Sequence, residues 1–206
     1  MKLSVPSLFS AAAVAAALLA APAGQAADGK PEHVRGTVTA ADAGALTVRT
    51  REGATVKMSL PEKLRISGLA AIDLAKIAKG AYIGTAAAPG PDGTLHAQEV
   101  LVFPERMRGT GEGHRKWDLT PDSTMTNAGV EAVVDGVKGR VMTLAYKDGK
   151  QRITIPPGTP IVTIVKADRS MLKPGAHIFA VARKGADGAY VPVRISIGMN
   201  GLVPPM

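Results

Sequence analysis

The feature that most constrains the fold is a correspondence between the two halves of the chain at an offset of 95 residues. Shifting the first half by this offset superposes residues of the same type at turns, caps and strands. The superposed pairs are Pro61 and Pro156, Ile66 and Ile161, Asp73 and Asp168, Gly80 and Gly175, Ala81 and Ala176, Ile83 and Ile178, Ala87 and Ala182, Asp92 and Asp187, and Gly93 and Gly188. A single offset that reproduces turns, a helix cap and a helix stop indicates an internal duplication.

Both halves show the two-residue alternation of apolar and polar side chains that is typical of half-buried β-strands. We predict strands at 34–39, 46–49, 55–60, 64–66, 81–87 and 94–103, and again at 131–134, 141–146, 152–155, 161–165, 176–181 and 190–197. A short helical turn interrupts each series. In the first half, Asp73 is placed to cap its N-terminus, and Gly80 stands where a left-handed residue ends it.

This order of elements predicts an all-β protein of two tandem small OB-like β-barrels, each with a short helical turn, after an N-terminal signal peptide. A pair of small sandwiches fits the same pattern and stays open. The predicted divisions are a signal peptide at 1–26, a flexible N-terminus at 27–33, one barrel at 34–104, a connector at 105–127 and a second barrel at 128–206.

The N-terminus has the three parts of a secretory signal peptide. Lys2 is followed by an uncharged run rich in Ala and Leu, and small residues precede Asp28. We expect cleavage after Ala26, although an uncleaved anchor is the alternative. No later stretch approaches the ~20 apolar residues of a spanning helix, so we expect no transmembrane segment in the mature chain. The predicted location is periplasmic or secreted.

The amino-acid composition further limits the kinds of partner that we expect the protein to bind. The chain has no Cys, which excludes disulfides and thiolate chemistry. Without its first 26 residues, where Lys2 is the only charge, 24 basic residues remain against 17 acidic, a net charge of +7. That charge suits an envelope protein or an anionic envelope polymer as partner, or serves solubility alone. Six aromatic residues in the mature chain are too few for the stacking platforms of single-strand nucleic-acid binders.

Sequence motifs for catalysis or cofactor binding are incomplete. The Gly-rich run 109–113 lacks the Gly-Lys-Ser/Thr of a phosphate loop. The Ser-x-x-Lys spacing of Ser170 and Lys173 lacks the partner motifs of penicillin-recognising enzymes. No Ser lies in a nucleophile elbow. We therefore predict no catalytic residue, no cofactor and no enzyme, and a hydrolase remains an alternative that requires a deep pocket with perturbed ionisable groups.

The connector holds the residues most suited to binding a partner. Arg115, Lys116 and Trp117 combine the chain's only Trp with two cations. An indole beside a guanidinium is a frequent anchor pair in recognition surfaces. The other interpretation is that Trp117 folds back to seal the joint between the two barrels. Both interpretations stay open at this point.

A metal site has one weak candidate set, also in the connector. Glu112, His114 and Asp118 offer mixed oxygen and nitrogen ligands. The chain's four His residues show no His-x-His or His-x-x-x-His spacing that places two on one ion. A solvated, charge-rich connector explains the same residues. A weak periplasmic metal-binding protein is thus the first alternative function.

The connector and the C-terminus resemble a group of exported bacterial proteins. The resemblance rests on the run from Met107 to Leu119, on Thr124 to Asn127, and on Gly201 to Met206. These proteins contain a domain of unknown function with an OB-like fold, which implies the fold and the location given above. Similar sequences are sometimes labelled metal-transporter permeases, a label that requires spanning helices. The function we predict is a non-enzymatic binding or scaffolding module of the cell envelope.

Overall fold

The computed structural model describes residues 29–136 and 139–206. The predicted signal peptide lies outside these residues. The described chain is mostly β, with strands β1 (Glu32–Ala41), β2 (Ala45–Thr50), β3 (Thr55–Ser59), β4 (Arg65–Ala71), β5 (Tyr82–Pro89), β6 (Leu95–Val102), β7 (Gly113–Lys116), β8 (Thr124–Gly136), β9 (Gly139–Tyr146), β10 (Gly149–Ile155), β11 (Ile161–Val165), β12 (His177–Lys184) and β13 (Tyr190–Gly198). The predicted all-β class is confirmed.

Four short 3₁₀ turns accompany the strands: η1 (Leu74–Lys76), η2 (Glu105–Met107), η3 (Arg169–Met171) and η4 (Met199–Gly201). Among the described residues, no helix has the length and apolar character needed to cross a membrane. The predicted cap at Asp73 is confirmed, since its Oδ1 accepts from the N–H of Ala75 at 2.7 Å. The turn ends at Lys76 with Ile77 as its C-cap, so the predicted stop at Gly80 is wrong, although Gly80 has the predicted left-handed conformation, with a φ of 89°.

Strand pairing forms two closed rings of five strands each within one continuous sheet. In the first ring, β1 pairs with β2, β2 with β3, β3 with β13, β13 with β12 and β12 with β1. In the second ring, β8 pairs with β9, β9 with β10, β10 with β6, β6 with β5 and β5 with β8. Strands β4 and β11 join the rings through an antiparallel pair.

Each ring takes its strands from both halves of the chain. The first ring combines the N-terminal meander β1–β3 with the C-terminal hairpin β12–β13, and the second combines β8–β10 with β5–β6. The predicted division into barrels at 34–104 and 128–206 therefore does not coincide with the rings. The physical reason is β4, which pairs with β13 and β11 and leads the chain away from the first ring before the hairpin β5–β6 forms.

The two halves place corresponding elements 95 residues apart. The bounds of β5 and β12 differ by this offset at both ends, as do those of η1 and η3. At the centre of the β4–β11 pair, Leu69 is paired with Ile164, the residue 95 positions later. Because this pair relates a position to its own counterpart, a local two-fold axis passes between the two residues.

Three apolar clusters support this arrangement. One fills the second ring around Ile83, Met142 and Leu144, and another fills the first ring around Leu46, Met58 and Ile195. The third, the junction cluster, lies between the rings and contains Leu69, Tyr82, Leu101, Phe103, Val162, Phe179 and Met206. Both halves of the chain contribute to every cluster, so burial of apolar surface holds the halves together.

The segments around the rings are more ordered than the sequence predicted. Strand β1 begins at Glu32, inside the stretch expected to be a flexible N-terminus at 27–33. The predicted connector at 105–127 contains η2, β7 and the first residues of β8. Strand β7 pairs with β8 from Gly113 to Lys116, which holds the connector against the second ring.

Candidate functional site

The two rings enclose an open cavity of about 560 Å³ at their junction. Its lining combines the junction cluster with the connector and with both edges of the β4–β11 pair. The lining residues are Arg65, Ile66, Ser67, Leu69, Gly84, Glu99, Leu101, Phe103, Arg106, Met107, Thr110, Gly111, Arg115, Trp117, Met125, Asn127, Ile164, Val165, Lys166, Ala167, Phe179, Arg194, Ser196 and Met206. Pockets that hold small molecules have volumes of this order, roughly 300–1,000 Å³.

Two equivalent β-bulges turn polar side chains into this cavity. On β6, Ala97 pairs with Ala87 and Glu99 with Ala86, so Gln98 is the extra residue. On β13, Pro192 pairs with Ala182 and Arg194 with Val181, so the extra residue of this strand lies 95 positions after Gln98. A bulge shifts the alternation of faces by one residue. Ala97 therefore packs in the core of the second ring, whereas Glu99 lines the cavity.

Glu99 is a fully buried carboxyl group in the cavity wall. Its Oε1 accepts from the N–H of Ala86 at 3.3 Å, while its Oε2 has no partner among the described residues. Burial raises the pKa of Glu99 to about 8, against weaker lowering by the Ala86 hydrogen bond and the charge of Arg35. At neutral pH the group is therefore mostly protonated and can donate a hydrogen bond into the cavity.

Two further buried polar atoms in the cavity wall have unused hydrogen-bonding capacity. Trp117 Nε1 and Asn127 Oδ1 have no partner in the part of the chain that the structure describes. The Nδ2 of Asn127 donates to the carbonyl of Thr110 at 3.0 Å, which fixes the orientation of the amide. Buried polar atoms are normally hydrogen-bonded, so a donor indole, a neutral carboxyl and an amide oxygen around one cavity point to a ligand with matching groups.

A cluster of cations also lines the cavity. Arg65 on β4 and Arg194 on β13 are directly paired in the parallel ladder, and Arg115 of the connector also lines the cavity. None of the three belongs to the six ion pairs found in the described residues. Burial, followed by the charges of Arg65 and Arg115, lowers the pKa of Arg194. Its side chain still touches solvent because the cavity is open.

Trp117 packs at the joint and also lines the cavity. It is half-buried against the junction cluster, and its ring centroid lies 4.5 Å from that of His33. The guanidinium carbon of Arg115 stands 5.8 Å from the Trp117 ring centroid. The two interpretations of Trp117 are thus compatible, because one side chain both packs on the junction cluster and lines the cavity. Lys116 is exposed and lines a shallow depression beside it.

Asp118 ties the connector to β1. Its carboxylate accepts from Arg35 at 2.7 and 3.2 Å, and His33 Nδ1 lies 2.9 Å from it. Burial alone raises the pKa of Asp118, but the hydrogen bonds from Arg35 and His33 outweigh it and leave the pKa below its ordinary value. The ion pair fixes the segment that presents Arg115 and Trp117.

The three candidate metal ligands have separate partners. The Oε1 of Glu112 accepts from the N–H of Lys147 at 2.9 Å, and His114 Nδ1 lies 2.8 Å from Thr126 Oγ1. Asp118 is held by Arg35 and His33 as described above. No group of three His, Asp or Glu side chains suited to a metal ion occurs at 29–136 or 139–206.

Comparison of the chain with protein-family models, with curated proteins and with solved structures gives no match. The cavity is therefore the feature of the molecule from which a function can be inferred. The sequence pointed to Arg115 and Trp117 in its wall but not to Glu99, Asn127, Arg65 or Arg194. The first-half counterpart of Arg194 is Glu99, 95 residues earlier, and this reversal of charge at equivalent strand positions is the signal that would have found both.

Proposed function

We propose that this protein is an exported, non-enzymatic binding module of the cell envelope whose ligand occupies the junction cavity. One observation carries the proposal. Four residues carry a buried side-chain atom without a partner in the described part of the chain, and three of them, Glu99, Trp117 and Asn127, line this one cavity. A ligand that enters removes their desolvation cost, which is about 1–3 kcal/mol for each unsatisfied group.

We further propose that each ring is an OB-type barrel built by exchange of hairpins between duplicated halves. The OB fold is a five-stranded, partly open Greek-key barrel. Each ring here has five strands, and a 3₁₀ turn precedes the hairpin that completes it. The exchange explains why the cavity lies where the halves cross over. The connector, with Arg115 and Trp117, supplies one wall in this arrangement.

A second candidate function, a hydrolase, is favoured by the raised pKa of Glu99 in a cavity of suitable size. It requires a second group to act with Glu99. Among the lining residues, Glu99 is the only acidic one, and none is His. Ser67 Oγ and Ser196 Oγ lie 3.2 Å apart with each other as partners. Ester hydrolysis that is lost in Glu99→Gln would favour this alternative over a binding module.

The test of the binding function uses Trp117 as its reporter, since the chain's only Trp lies in the cavity wall. The uncharged fluorophore N-phenyl-1-naphthylamine is titrated into the protein while Trp117 is excited. We expect saturable energy transfer from the indole to the naphthyl group. The pH and the salt concentration are held constant during the titration, so a change in energy transfer from Trp117 to the probe reports occupancy of the cavity.

Two matched variants locate the bound probe. Ser67→Phe places a phenyl ring in the cavity and should weaken probe binding at least about tenfold, or 1.4 kcal/mol. Ser59→Phe adds the same ring on the exposed side of β3, outside the cavity, and should leave binding unchanged. Equal binding by both variants would show that the cavity is not the site, and the proposed function would fail.

A further inference from the structure

The arginine pair across β4 and β13 is an unusual element of this cavity. Arg65 and Arg194 are in register in a parallel ladder, with their strands directly hydrogen-bonded. Like charges at directly opposite positions in a sheet repel and destabilise the pair. The described residues place no carboxylate in an ion pair with either side chain. The pair thus forms a concentration of positive charge with no acidic partner in the described residues, which a bound anion would neutralise.

Arg115 extends this cluster from the connector. Its charge is close enough to Arg194 to contribute to the lowered pKa of that guanidinium. Aromatic faces hold two of the three arginines, since Arg194 stands 6.0 Å from the Phe179 ring centroid and Arg115 stands 5.8 Å from that of Trp117. Such cation–π contacts orient a guanidinium without neutralising it. Arg115 Nη1 donates to the carbonyl of Gly111 at 2.9 Å, and the other guanidinium N–H groups remain available to a carboxylate, sulfonate or phosphate.

A large part of the cavity wall is apolar. Leu69, Leu101, Phe103, Met125 and Phe179 are buried and line the same space. Glu99 joins them as a mostly neutral carboxyl at neutral pH. A small inorganic anion would leave this wall uncovered, and a long anionic polymer would not fit within a volume of about 560 Å³. The shape and lining fit a molecule with one charged end and an apolar body.

We propose that the junction cavity binds an amphipathic organic anion, with its acidic head group among Arg65, Arg115 and Arg194 and its apolar body against the junction cluster. Glu99 Oε2, Trp117 Nε1 and Asn127 Oδ1, which have no partner in the described residues, supply hydrogen bonds to a polar group on that body. This inference rests on the proposed binding function and names its ligand class. Such ligands include free acyl or aryl acids and the head-group end of anionic lipids.

The test compares two probes that differ mainly in charge. 1-Anilinonaphthalene-8-sulfonate carries a sulfonate on the same naphthyl and phenyl rings as uncharged N-phenyl-1-naphthylamine. Energy transfer from Trp117 gives the Kd of each for the wild-type protein. We expect the sulfonate to bind at least about tenfold more tightly, because a charge-assisted hydrogen bond contributes about 1.5–3 kcal/mol net.

Three variants separate the arginine cluster from general basicity. Arg65→Gln and Arg194→Gln should each weaken sulfonate binding about tenfold and leave the uncharged probe unaffected. Arg49→Gln removes the same charge from an exposed position on β2 and should change neither probe. Near-UV circular dichroism of each variant confirms that the anionic probe is not reporting a loosened core, since molten states also bind it.

The outcomes distinguish the two proposals. Equal affinity for both probes, unaffected by Arg65→Gln and Arg194→Gln, would overturn the anionic ligand class while the binding function stands. Absence of energy transfer with either probe would overturn the binding function itself. Displacement of the sulfonate by monomeric dodecanoate supports a free acid as the source, and displacement by phosphatidylglycerol vesicles alone supports a lipid. If neither of them displaces the sulfonate, the assignment of the ligand as an amphipathic anion is overturned.

Discussion

The cavity walls formed by β6 and by β13 occupy equivalent places in the two halves of the chain but differ in chemistry. Equivalent bulges turn Glu99 and Arg194 into the cavity. The first is buried and mostly neutral at neutral pH, whereas the second is solvent-accessible and charged. Gly84 on β5 and Phe179 on β12 are likewise 95 residues apart and face the same cavity. The backbone is repeated, and substitutions at a few positions make the site asymmetric.

The largest effect is expected from Phe179, the bulky member of the Gly84 and Phe179 pair. Phe179 is 1% exposed and packs in the junction cluster. Phe179→Ala should lower the free energy of unfolding by about 3–5 kcal/mol, measured by urea denaturation. The wall at Gly84 cannot take the ring in exchange, because a Cβ there would lie 2.6 Å from Asn127 Oδ1.

The control for this prediction is Val203→Ala at a position that is 51% exposed, where the expected change is small. A loss below about 1 kcal/mol in Phe179→Ala would mean that the junction is held mainly by the connector and by strand pairing. In that case the wall that contains Phe179 and the wall that contains Gly84 would contribute similarly to the free energy of unfolding, despite their different side chains.

The next effect concerns the pH dependence that Glu99 gives to one wall only. Its folded-state pKa of about 8 lies above the ordinary value of 4.5, so the folded protein binds the proton more tightly than the unfolded chain. Stability is therefore greatest below pH 4.5 for this group and falls as the pH rises toward 8. Glu99→Gln should remove this fall and be more stable than wild type at pH 8 by a few kcal/mol.

Thermal unfolding between pH 5 and 8.5 measures this difference, with Glu62→Gln, at an exposed position, as the control. The two Glu99 curves should converge toward low pH, where the wild-type carboxyl is neutral like the amide. Parallel curves for wild type and Glu99→Gln across the whole range would show that Glu99 ionises normally, and that the cavity is more polar than its lining indicates.

The smallest effect should be equal in the two halves. Gly80 and Gly175 have φ values of 89° and 88°, and a Cβ at either position would meet nothing within 4 Å. Substitution by Ala therefore costs only backbone strain, about 1 kcal/mol at each site. Gly44→Ala, where the space is also open and φ is ordinary, is the control and should cost nothing. Unequal losses at Gly80 and Gly175, measured by urea denaturation, would show that the halves differ in more than their cavity walls.

Much of the secondary structure could be predicted because a strand that is buried on one face has apolar residues at every second position of its sequence. The start of the first helical turn was predictable from Asp73, whose cap is local, whereas its end at Lys76 was not. Which meander each hairpin completes could not be predicted from the sequence. The hairpins β5–β6 and β12–β13 have similar apolar patterns, so each suits either ring by sequence, and the choice depends on the path of β4 and β11.

The candidate site was only partly predictable for a related reason. Arg115 and Trp117 stand out by composition in a chain with few aromatic residues. Glu99 lies in an alternating strand, where unbroken alternation puts it on the same face as Ala97. The bulge at Gln98 reverses that assignment, and nothing in the local sequence marks the bulge. Arg65 and Arg194 are brought together by strand order, which is a property of the whole fold.

The exchange of hairpins has a consequence for how the chain acquires its structure. Glu32 in β1 pairs with Ala182 in β12, so the first ring closes only after nearly the whole chain is available. Until then β1–β3 keep unpaired edges, which favour misassociation. Pairings so distant in sequence also slow folding, because loop closure precedes their stabilising contacts. The second ring uses only strands β5 to β10, whereas the junction cavity also needs β13 and therefore exists only in the finished molecule.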